Sequence, residues 1–136
     1  MAIAGVEPAG LSQKQGPKDW SPNEVLAHIR AAADVHGKTI GAILASENLA
    51  MRYLSPRTWI RKTNHLALGF DVSFDAYTTQ RAALLATLRG LTPDDWSRTV
   101  TYTGATRGAE QTILDVAGGL ARHEAVHCDQ IAALLL

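Results

Sequence analysis

The chain has 136 residues, enough for one domain and too few for two full cores. Thirteen Lys and Arg balance thirteen Asp and Glu, and a formal net charge of zero argues against broad electrostatic capture of nucleic acid or of an anionic membrane face. The 46% hydrophobic and 6% aromatic composition excludes disorder and favours helices over a β-sandwich, while the single Cys128 excludes a disulfide framework and a cysteine-rich zinc module.

Residues 1–19 hold Gly5, Pro8, Gly10, Gly16 and Pro17 without a sustained apolar period. They read as an irregular N-terminal segment with room for a short turn of helix, ahead of a domain over 20–136. Met1–Gly10 lacks a basic start followed by an apolar run, and no stretch approaches the ~18 apolar residues of a membrane span. With the lone cysteine, this predicts a soluble, cytoplasmic protein.

Ser21-Pro22-Asn23-Glu24 is a helix start: Ser21 can cap, Pro22 suits the first helical position, and Glu24 can reach back to the Ser21 N–H. Val25, Ile29, Ala32, Val35, Thr39, Ile40 and Ile43 then form a stripe that carries a helix over about 22–50. His28 and His36 lie on or beside it, and Gly37 and Gly41 would admit a close backbone neighbour. From Tyr53 to Gly69 the period breaks, and Ser55-Pro56 begins a short basic connector through Trp59, Arg61, Lys62 and His65.

Ser73 is the predicted cap of a second long helix over 73–89, with Phe74, Tyr77, Leu84, Leu85 and Leu88 on its apolar side and Arg81 in register. Thr92-Pro93-Asp94-Asp95 repeats the cap-then-proline signal. Residues 97–110 read equally as a loop or as a brief extended ribbon. Thr112 with Asp115 starts a third long helix, about 112–135, whose Ile113, Val116, Leu120, His123, His127, Ile131 and Leu134 face a bundle interior.

The chemistry concentrates in that last helix. His123 and His127 stand four apart on one face, a spacing that brings two imidazoles to one Zn²⁺ or Ni²⁺ ion without bending the backbone. His28, on the inward stripe of the first long helix, is the candidate third ligand, leaving an open position for water or substrate. The competing reading makes all three hydrogen-bonded core or surface histidines. His123-Glu124-Ala125-Val126-His127 also spells the H-E-x-x-H pattern of zinc proteases. Only nine residues follow His127, with no His or Glu among them, and a protease is therefore disfavoured. Glu124 is a weak candidate for a base beside the expectation of an exposed surface glutamate.

Trp20-Ser21-Pro22 leading to Glu24–Ile29, His123–His127 followed by Gln130-Ile131, and between them Phe74, Arg81, Leu91, Asp95-Trp96 and Arg98 make the chain resemble a known family. Over about residues 18–135 it resembles the DinB-like metal-binding four-helix-bundle superfamily, which includes thiol-dependent S-transferases such as mycothiol-dependent maleylpyruvate isomerase. The resemblance implies an all-α, up-down bundle with metal ligands at His28, His123 and His127. Members carry a full helix before the Trp-Ser-Pro segment, so the first helix is expected to be short or absent here. The apolar groove left behind predicts a homodimer or higher homo-oligomer.

The expected function is that of a metal-dependent enzyme. The resemblance implies transfer of a low-molecular-weight thiol to an electrophilic small molecule, with zinc or nickel as cofactor and neither nucleic acid nor membrane as partner. The alternative is a non-catalytic, stress-associated or binding bundle with a structural or vestigial metal site. Of the remaining residues, His36 is expected to line a pocket and His65 to be solvated. Cys128 points about 100° away from His127 around the helix, and Arg57, Arg61 and Lys62 read as a solvated face before an anion site.

Overall fold

The computed structural model describes residues 8–14, 16, 19–104 and 109–135. A single helical turn, α1 (Pro8–Leu11), supplies Leu11 to a core cluster with Val25, Leu26, Ile29, Phe70 and Ile131. The N-terminal segment thus contributes an apolar anchor to the bundle. The rest of that segment, residues 1–7, 15 and 17–18, lies outside the described residues.

Helix α2 (Pro22–Ala45) begins with the expected capping box: Ser21 Oγ accepts from the Glu24 N–H at 3.1 Å and Glu24 Oε1 accepts from the Ser21 N–H at 3.2 Å. Pro22, Asn23, residues 25–29, 31–33 and Val35 are all buried, so its first half is covered on nearly every side. Such a helix is the centre of its domain. The later helices α4 (Phe70–Arg89) and α6 (Ile113–Leu134) both pack against it.

Helix α2 ends at Ala45, earlier than its apolar stripe predicts. Ser46 turns extended, Asn48 takes a left-handed φ of 55°, and Leu49–Arg52 becomes strand β1, whose Leu49 and Met51 pack on a second core cluster built around Ile40, Ile43, Val100 and Ile113. Asparagine tolerates that backbone region better than most residues. The Arg98 guanidinium donates to the Ser46 carbonyl, closing the helix end.

The Thr-rich stretch resolves as a ribbon. Strand β2 (Thr99–Thr103) pairs in parallel with β1, Leu49 opposite Val100, and antiparallel with β3 (Glu110–Thr112), Val100 opposite Gln111. Residues 105–108 between them lie outside the described residues. The bundle therefore carries a small three-stranded sheet, order β1-β2-β3, at one end, which the all-α expectation lacked. Val100 and Tyr102 bury one face of β2, which is why this strand forms.

The connector forms α3 (Pro56–Ile60), capped by Ser55, and a 3-10 turn over His65–Ala67. Helix α4 starts three residues before the predicted cap, with Gly69 as its N-cap. Phe70 is in the core, and the buried Ser73 hydroxyl accepts from Arg30 at 3.2 Å, so Ser73 joins α4 to α2 and caps nothing. A capped turn, α5 (Pro93–Trp96), leads to β2. Thr112 with Asp115 caps α6 as expected. At Gly37 and Gly41, an added Cβ would meet nothing within 4 Å. Among the described residues no backbone approaches there, and a groove of about 320 Å³ runs between α2 and α4 instead.

His65 is buried, contrary to its expected solvation. Its Nε2 lies 2.8 Å from Asp34 Oδ2, which also accepts from Trp59 Nε1 at 3.0 Å, while Asp34 Oδ1 accepts from Gln80 Nε2 at 2.6 Å. One carboxylate on α2 thus gathers α3, the 3-10 turn and α4. Burial pushes the Asp34 carboxyl up, but hydrogen bonds from His65, Trp59 and Gln80 outweigh it and hold its pKa below the ordinary value. No described helix is long and apolar enough to cross a membrane.

Candidate metal centre

The second turn of α2 presents His28, and successive turns of α6 present His123 and His127. The Nε2 atoms of His28 and His123 stand 2.9 Å apart, and one ligand atom from each of the three rings lies within 4.8 Å of the other two. This is the one such group of His, Cys, Asp or Glu among the described residues. A tetrahedral ion with Zn–N bonds of about 2.0–2.1 Å would separate its nitrogens by roughly 3.3 Å, which falls between those two distances.

The chemical state of the rings suits a cation. His127 Nδ1 lies 2.8 Å from Gln130 Oε1, which can only accept there, so Nδ1 donates to it and Nε2 is the ring nitrogen left to act as a ligand. Burial, then the charges of His123, His127 and Arg57, lowers the His28 pKa to about 4. Burial, then His127 and His36, lowers that of His123. Neutral imidazoles are the form that ligates metal. The donor set and its spacing therefore fit a divalent ion.

Trp20, just before the α2 cap, packs over the cluster, its ring centroid 5.1 Å from that of His28 and 6.5 Å from that of His127. The three histidines open on a cleft of about 510 Å³ that also reaches His36, Tyr53 and Arg57. His36 therefore lines the pocket, and burial holds its pKa below the usual value. A smaller cavity of about 220 Å³ shares Trp20, His28 and Arg57 with that cleft.

Glu124 is not the exposed glutamate expected. It is buried, accepting from the Arg81 guanidinium and from Tyr77 Oη at 3.0 Å. It clamps α6 to α4 and is no member of the histidine group. Cys128 packs beside Phe74 and Tyr77 on the first core cluster. Sequence reasoning passed over Gln130 as a partner of His127, although its position three residues on, one helical turn away, was a usable signal. Tyr53 gave no signal at all.

The sequence profile of the DinB superfamily matches residues 1–131. The chain belongs to the DinB superfamily. The match takes in the N-terminal segment, which the sequence resemblance over 18–135 had left outside. Among solved structures, this DinB-superfamily chain is similar to YfiT from Bacillus subtilis, described as a probable metal-dependent hydrolase with an unusual four-helix bundle topology. The identity is 18%, the TM-score is 0.75, and the alignment covers 97% of this chain and 74% of that one. That likeness establishes the shared bundle fold. No curated protein sequence matches the chain.

Proposed function

We propose that this chain is a metal-dependent enzyme in which His28, His123 and His127 hold a divalent ion, zinc or nickel, and a small-molecule substrate enters the adjoining cleft. The observation that carries this reading is the pair of Nε2 atoms turned on each other across 2.9 Å at the wall of an open cavity. A purely structural site is closed by four protein ligands, whereas here three imidazoles meet a cleft. This favours catalysis over a structural or vestigial metal.

When bound, such an ion lowers the pKa of a thiol or water that reaches it. The chain's own groups do the rest. Gln130 holds the His127 tautomer, Trp20 shields two of the rings from solvent, and the uncharged His36 imidazole offers the cleft a proton acceptor. Family membership supports a low-molecular-weight thiol as the nucleophile, transferred to an electrophilic substrate. Hydrolysis is the second reading, supported by the description of the fold neighbour YfiT. A cytoplasmic location belongs to the same proposal, and the single cysteine supports it.

Metal analysis by mass spectrometry on protein purified without chelators tests the proposal. Near one zinc or nickel per chain is expected, lost in His123→Ala; no metal in the wild type, even after reconstitution, overturns it. The loaded protein is then offered an electrophilic probe with and without a small thiol. Turnover only with thiol supports transfer, and turnover in water alone supports hydrolysis. Association into a homodimer or larger oligomer belongs to the same proposal. Val72 and Leu85 on α4 and Leu114 and Val126 on α6 are exposed apolar side chains that a second copy could cover. Sedimentation of a monomer would overturn that part.

A further inference from the structure

Arg57 and Arg61, read from the sequence as a solvated face, are exposed in the structure, and both also line the rim of the smaller cavity beside the histidines. Within the turn that carries them, Arg61 Nε donates to the Arg57 carbonyl at 3.3 Å. The rest of the wall is mainly apolar: Trp20, Ile60 and Leu66. The acid on this wall, Glu24, is already engaged, accepting from the Ser21 N–H at 3.2 Å and facing Lys14 Nζ at 3.5 Å. Among the described residues neither arginine makes an ion pair with a carboxylate. Two guanidiniums with spare donors thus stand over an apolar cavity that shares Trp20, His28 and Arg57 with the cleft of the proposed metal site.

We infer that this annex selects the substrate: a small organic acid whose carboxylate is held by Arg57 and Arg61 and whose apolar body lies against Trp20, Ile60 and Leu66. Its reactive end would then reach the cleft in front of the three histidines. The guanidinium fork matches a planar carboxylate with paired hydrogen bonds, a geometry that a lysine ammonium cannot reproduce. Lys62, the third cation of the run, does not line the cavity. A cavity of about 220 Å³ with two cations suits one acid group on a compact ligand and is far too small for a polyanion. The inference rests on the proposed enzyme reading and names the substrate class for it.

The test compares phenylacetate with its neutral analogue phenylacetamide, titrated into metal-free protein and followed by nuclear magnetic resonance at the Trp20 indole and the arginine Nε–H signals. Phenylacetate is expected to saturate with a Kd at least tenfold below that of the amide. Arg57→Gln and Arg61→Gln should each weaken the acid about five- to tenfold and leave the amide unchanged, whereas Lys62→Gln should change neither. Equal binding of acid and amide, or acid binding that survives both arginine substitutions, overturns the inference.

Zinc-loaded protein and His123→Ala separate this outcome from the fate of the metal reading. Acid binding that persists in His123→Ala and is lost in the arginine variants supports the annex whether or not an ion binds. Acid binding that needs the loaded ion and ignores the arginines places the carboxylate on the metal, and the annex falls while the metal reading stands.

Discussion

Two polar side chains six residues apart on α2, His28 and Asp34, end in opposite conditions. Both Asp34 oxygens are filled by donors from three other elements, His65, Trp59 and Gln80. The one hydrogen-bonding neighbour of His28 is another imidazole, its Nε2 turned on the same atom of His123. His123 Nδ1 is buried without a hydrogen-bond partner, and the group opens on a cleft. Burial of polar atoms alone does not distinguish these places. The facing atoms do: both Asp34 oxygens are filled by donors of the chain, although His65 Nδ1 behind them also lacks a partner, whereas the facing nitrogens of His28 and His123 have only each other and leave lone pairs for something else.

Substitution should expose the difference. Asp34→Ala strands three donors in the interior and is expected to lower stability by about 3 kcal/mol in urea unfolding, with metal content per folded chain unchanged. Loss of metal with stability intact would erase the contrast. Arg81→Ala asks to which class Glu124 belongs, since it leaves that buried carboxylate with Tyr77 alone. A cost of about 2–3 kcal/mol and intact metal binding are expected, placing Glu124 with the saturated groups although it is next to His123.

Acid should act on the imidazole side first. The His28 pKa is about 4 in the folded chain against an ordinary 6.5, so the unfolded chain takes up its proton first as pH falls. The stability this group contributes is full above pH 6.5 and is lost towards pH 4, with the lowered values of His36 and His123 acting in the same sense. Metal-free protein should lose on the order of 1–2 kcal/mol between pH 7 and pH 5, read by urea unfolding. Asp34 works at lower pH, because its depressed pKa matters only below the ordinary carboxylate value. An unchanged midpoint between pH 7 and pH 5 would contradict the burial of neutral imidazoles. The smallest expected effect is that of Gln130→Ala, which frees the His127 ring and should weaken metal binding about tenfold, or about 1.4 kcal/mol, with stability of the metal-free chain unchanged.

Much of this was legible from the sequence where the signal was local. The capping boxes at Ser21 and Thr112 and the four-residue spacing of His123 and His127 are statements about one helix, and the structure contains each of them. Long-range partners hid the remainder. Ser73 looks like a cap until Arg30, on another helix, is seen to hold its hydroxyl. His65 sits in a basic run, and nothing nearby announces that Asp34 will bury it. Strands of three to five residues have no period to read, and β1 finds its partner β2 some fifty residues later. The arginines of the connector are exposed, as their sequence reads, but the cavity they also line is walled by Trp20 and Leu66, from either side of them in the chain, and no local pattern announces it.

The distance along the chain between His28 and His123, 95 residues, gives the site a place in the order of folding. The pair on α6 exists as soon as one helix forms, since a single turn fixes its spacing. The third imidazole arrives only when α2 has docked on α6 and most of the intervening chain has been closed into a loop, at an entropic cost that grows with its length. The trio is therefore a signature of the finished fold. A partly folded chain offers a cation two nitrogens, and the native chain offers three.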